Sequence, residues 1–141
     1  MSDLATRLIA EAQADCDSRM ETIEAHASLI EEADALAATL RSKGLDVVAH
    51  GYTCAAWVGR PGKVTTWVAA HSVDADALLI ALRDAGLVIS DISTDNGTAY
   101  LHLEGLETRL HISDGTRKSV LAALRVSLGN LVQAQTEAAH G

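Results

Sequence analysis

The sequence predicts an α+β domain with the order helix, three strands, helix, three strands, helix, and three observations carry that prediction. Helical spacing of apolar residues runs from Asp3 to Lys43, glycine punctuates two similar helix ends, and short β-prone runs separated by turn residues follow each end. At 141 residues the chain falls within the range of one domain, and a single core suffices at that size.

Across residues 1–43 there is no Pro or Gly, and apolar residues recur at Leu4, Leu8, Ala12, Cys16, Met20, Ile23, Ala27, Ile30, Ala33 and Ala37. Gly44 supplies the stop, with Arg41 and Lys43 placed where the helix dipole favours cations. Some 40 helical residues would form a rod of about 60 Å, more than a domain of this size needs. Either the helix breaks, near Asp15 to Ser18, or part of it packs on a partner. The Cys16, Met20, Ile23, Ala27, Ile30 series has coiled-coil spacing, but it meets Asp34; an amphipathic helix lying on the sheet fits better.

Leu36 to Leu45 matches Leu78 to Leu87 at constant offset, which suggests an internal repeat. The first meander is expected over 45–71, with turns at Gly51-Tyr52 and Pro61-Gly62; a helix over 73–85 follows. The second meander is expected over 87–113, with turns at Asn96-Gly97 and Glu104-Gly105. A last helix over 114–135 begins after Ser113-Asp114 and carries Val120, Leu121, Leu124, Leu128, Leu131 and Val132.

Two-residue turns assign each side chain to a sheet face. In the second meander Ser90, Ile92, Ala99, Leu101, Leu103, Leu106, Thr108, Leu110 and Ile112 are expected to face the core. Asp91, His102 and Glu107 then form a row on the opposite face, beside Ser93, Tyr100 and Arg109. In the first meander Val47, Ala49, Cys54, Ala56, Val58, Thr65, Trp67 and Ala69 are expected inside. Val48, Ala55, Trp57, Val64, Val68 and Ala70 would make the second face apolar, so the N-terminal helix or another subunit should cover it.

Net charge is −8, and residues 1–43 hold nine acids against four bases. Phosphate binding needs clustered cations, and the one basic pair is Arg117-Lys118, so nucleic acid is not expected. No apolar run approaches a membrane span, no secretory signal opens the chain, and Cys16 and Cys54 form no Cys-x-x-Cys, so a cytoplasmic protein with reduced thiols is expected. There is no phosphate loop, dinucleotide fingerprint or nucleophile elbow, and no cofactor is expected.

Two sets of residues are candidates for function. Trp57, Tyr100, Arg109, Val48 and Val68 form the candidate partner-binding surface, because aromatics bury large rigid area at small entropic cost. Asp91, His102 and Glu107 are the candidate metal ligands of an alternative small enzyme or ligand binder. The preferred expectation is a non-enzymatic, homodimeric module that binds another protein, with a basic surface as one option: an adaptor, chaperone, immunity-type or inhibitor protein. A structural subunit of a larger assembly is a third reading.

Overall fold

The computed structural model describes residues 2–71, 73–95 and 98–113. It contains three helices, α1 (Asp3–Ala25), α2 (Ala27–Ser42) and α3 (Ala75–Asp84), and five strands: β1 (Val47–Cys54), β2 (Lys63–His71), β3 (Ile89–Asp95), β4 (Thr98–Leu103) and β5 (Arg109–Ser113). The strands form one sheet in the order β1-β2-β5-β4-β3. All neighbours are antiparallel except β2 and β5, which run parallel. This is an α+β fold. The expected helix over 114–135 and the turn at Asn96-Gly97 lie outside the described residues.

The long N-terminal helix breaks at His26 rather than near Asp15. His26 leaves helical geometry (φ −112°, ψ 26°), and its Nδ1 lies 2.8 Å from the Thr22 carbonyl. The break separates two jobs. Helix α2 buries Ala33, Leu36, Ala37 and Leu40. Helix α1 buries only Thr22, leaving Leu4, Leu8, Ile9 and Met20 each more than half exposed. Its C-terminal half leans on the β1–β2 connection. Arg19 Nη1 donates to the Thr53 carbonyl at 2.8 Å, and the Ala56 amide donates to Ser18 Oγ at 3.2 Å. Thr22 lies so close to Gly62 that a Cβ there would overlap its hydroxyl, so only glycine permits this approach.

The two matching helix ends are built alike. After α2 the Leu45 amide bonds to Leu40 O and Gly44 N to Arg41 O; after α3 Leu87 N bonds to Leu82 O and Gly86 N to Arg83 O. Gly44 and Gly86 both have positive φ, as this helix stop demands. The likeness ends there. A three-stranded first meander does not form, because β1 runs unbroken through Gly51-Tyr52 and pairs all eight of its residues with β2. The turn falls at Val58-Gly59, where Trp57 and Arg60 exchange backbone hydrogen bonds and Gly59 takes φ 80°, not at Pro61-Gly62.

That continuous strand reverses the expected faces of β2. Cys54 pairs with Lys63, so Val68 and Ala70 point inward and are fully buried, Val64 is nearly so, and Trp67 points outward. The inner face combines Val47, Val68, Ala70, Ala99, Leu101, Leu103, Leu110 and Ile112 with Leu36 and Leu40 of α2 and Leu78, Ala81 and Leu82 of α3. In β3 to β5 the expected inner residues are confirmed apart from Ser90, which sits at a bulge and is exposed. Thr66 and Thr108, both buried, satisfy each other at 2.9 Å. Glu32 of α2 holds the entry to β5, accepting from the amides of Thr108 (2.7 Å) and Glu107 (3.0 Å).

Candidate recognition face

The outward residues of the sheet alternate with this core, and the same parity brings them into one surface. From β1 come Val48, His50, Tyr52 and Cys54; from β2 come Lys63, Thr65, Trp67 and Ala69; from β5 come Arg109 and His111; from β4 come Tyr100 and His102; and from β3 come Asp91 and Ser93. Aromatic and imidazole rings run across four strands. Trp67 lies between His50 (centroids 5.6 Å apart, planes 21°) and His111 (5.4 Å, 12°). Tyr52 meets Trp67 edge-on at 6.0 Å, and Tyr100 meets His111 edge-on at 4.6 Å. Strand pairing explains the order: His50 pairs with Trp67, and Tyr100 with His111.

Electrostatics follow from the packing. Partial burial, then Arg109, then His50 push the His111 imidazole down to about 4, so it is neutral at pH 7. An uncharged imidazole stacks on the indole without the cost of a buried cation. The surface is therefore a set of flat, adjoining ring faces with Arg109 and Lys63 beside it. It differs from the expected apolar second face: outward positions of the first two strands alternate apolar groups with His50, Lys63 and Thr65.

The candidate residues separate. Tyr100 and Arg109 lie on the outer face as expected, Tyr100 half-buried and Arg109 exposed. Val48 lies there too, 46% exposed. Val68 does not: it is a core residue with no exposed surface. Trp57 is not on the sheet but in the β1–β2 connection, 71% exposed, with the Arg60 guanidinium 6.0 Å from its ring. The residue that occupies the expected place of Trp57 is Trp67. Cys54, expected inside, is exposed, as is Cys16, and both are free thiols.

The polar row is also rearranged. Asp91 pairs directly with His102. Glu107 does not stand beside them, because the β4–β5 link is a five-residue loop over 104–108 rather than a two-residue turn at Glu104-Gly105. The register, Leu101 against Leu110, brings Arg109 next to His102 instead. Among the described residues no three His, Cys, Asp or Glu side chains are grouped so as to hold a metal ion. Also among them, no helix is long and apolar enough to cross a membrane.

Comparison with known proteins returns nothing that names this surface: no family model matches the chain, and neither a curated protein nor a solved structure matches it.

Proposed function

We propose that the chain is a non-enzymatic protein-binding module that works in the cytoplasm as a homodimer, with the outer face of its sheet as the recognition surface. It would serve as an adaptor, chaperone, immunity-type or inhibitor protein. The observation that carries this reading is the row Tyr52, His50, Trp67, His111 and Tyr100, held in ring-to-ring contact on a face that none of the three helices covers. Rigid aromatic groups lose little entropy when a partner buries them, which is why they dominate binding energy at protein interfaces. The two free, exposed thiols support a reducing compartment.

Selection of peptides from a random displayed library, against the native protein and against a Trp67→Ala/Tyr100→Ala variant, tests the proposal. Peptides that bind the native protein and lose at least about tenfold in affinity for the variant are expected, since two aromatic anchors are removed. Peptides that bind both equally, or no selection above background, would place recognition elsewhere. A basic partner would add salt sensitivity, because exposed charge pairs are screened over about 10 Å at 0.1 M salt.

A further inference from the structure

The two edges of the sheet are finished differently. Strand β3 carries a bulge at Ser90 and presents Asp91 and Asp95, devices that discourage another strand from adding to an edge. Strand β1 has none of them. Its eight residues, Val-Val-Ala-His-Gly-Tyr-Thr-Cys, include no charged side chain and no proline, and their register with β2 is unbroken.

The backbone of β1 also shows which positions are turned outward. The carbonyls of Val47 and Thr53 accept from Arg41 Nη1 (3.4 Å) and Arg19 Nη1 (2.8 Å), so odd-numbered residues direct their amide and carbonyl groups away from β2. The two arginines hold the ends of the edge, while Ala49 and Gly51, between them, meet no further strand among the described residues. Beside this stretch, on the inner side of the sheet, lies a cleft of about 420 Å³ whose lining includes Ile23, Ile30, Ala33, Ala49 and Gly51 together with the acidic Asp34. On the outer side Val48 and Tyr52 are about half exposed, at 46% and 53%.

We infer that β1 is the seam of the homodimer, pairing antiparallel with β1 of a second copy about a two-fold axis at His50. The inference rests on the homodimeric part of the function proposed above. The segment is complementary to itself in this register. Ala49 would exchange backbone hydrogen bonds with the partner's Gly51, Val48 would face the partner's Tyr52, and His50 would face the partner's His50. The outward amides and carbonyls of Ala49 and Gly51, which meet no further strand among the described residues, gain partners, and the exposed Val48 and Tyr52 cover one another. Charge is compatible with the same place. On a chain of net charge −8 two copies repel over most of their surface, whereas β1 carries no charged side chain and the charges beside it, Asp34 of the cleft and the flanking Arg19 and Arg41, are of both signs. The ring row would then continue through the axis, giving a partner protein one recognition face shared by both copies.

The test is disulfide trapping in a Cys16→Ser/Cys54→Ser background, with solution mass measured in parallel. Residues facing one another in a non-hydrogen-bonded antiparallel pair stand about 4.5 Å apart at Cα, which a disulfide can span. The background protein should be dimeric at about 50 µM, an affinity ordinary for such contacts. His50→Cys should oxidise to a covalent dimer, Val48→Cys and Tyr52→Cys should do so only when combined, and Val48→Lys should raise the dimer dissociation constant at least about tenfold with an unchanged circular dichroism spectrum. A background protein that is monomeric overturns the homodimer itself. A dimer that Val48→Lys leaves intact and His50→Cys does not trap keeps the homodimer but overturns the β1 seam. Peptide capture on Trp67 and Tyr100 is read separately, so its failure is distinguishable from both.

Discussion

The two faces of the sheet are made by the same five strands from alternate residues, yet they solve opposite problems. The inner face is closed: Val68, Leu101, Leu110 and Ile112 have no exposed surface, and α2 and α3 supply the opposing leucines. The outer face is made of rings that touch each other, and none of the described helices is packed over them. Aliphatic packing and aromatic rows are thus segregated by strand parity. Stability is thereby assigned to the inner face and the proposed recognition to the outer one, and substitutions at matched positions should separate them.

The largest effect is expected inside. Leu110→Ala, in the central strand, should cost about 2–5 kcal/mol by chemical denaturation, the range for truncating a fully buried leucine. A cost below about 1 kcal/mol would mean the inner face is not the core. Next is the clamp between the layers: Glu32→Ala leaves the amides of Glu107 and Thr108 without their carboxylate and should cost about 1.5–3 kcal/mol. Outside, Trp67→Ala should cost only about 1–2 kcal/mol, the sum of modest ring contacts, while removing the anchor proposed for binding. If Trp67→Ala unfolds the protein as Leu110→Ala does, the distinction between the faces fails.

The smallest effect is a pH dependence specific to the outer face. In the fold His111 stays neutral down to about pH 4, whereas an imidazole in the unfolded chain takes its proton near pH 6.5. Between those values the unfolded chain binds the extra proton, so stability present above about pH 6.5 is lost as the pH falls toward 4. Urea midpoints measured at pH 7 and pH 4.5 should differ more for the native protein than for His111→Asn. Equal differences would remove His111 from this account.

Much of the fold was legible because its signals are local. Gly44 and Gly86 stop helices by a backbone geometry that few other residues tolerate, and the alternation of Ala99, Leu101, Leu103, Leu110 and Ile112 marks an inner face whatever the exact loop. The first two strands were not legible, for a specific reason. In the run Val64 to Ala70 both parities are largely apolar or threonine, so periodicity does not choose between Val68 and Trp67. Gly51 offered a false turn, since glycine also suits an extended strand where the neighbouring backbone approaches: a Cβ there would stand 3.3 Å from the Thr65 carbonyl. The ring row depends on that choice. His50 meets Trp67 across the antiparallel β1–β2 pair, but His111 reaches Trp67 only because β2 and β5 pair in parallel, a long-range fact that no local spacing encodes.

The most direct measurement of the central claim, that the ring row is an open face, is the fluorescence of Trp67 in a Trp57→Phe background. The account predicts emission that acrylamide quenches in the free protein, and that shifts to shorter wavelength and resists quenching when a selected peptide binds. Blue-shifted emission that acrylamide does not reach in the free protein would contradict it, because the face would then already be covered.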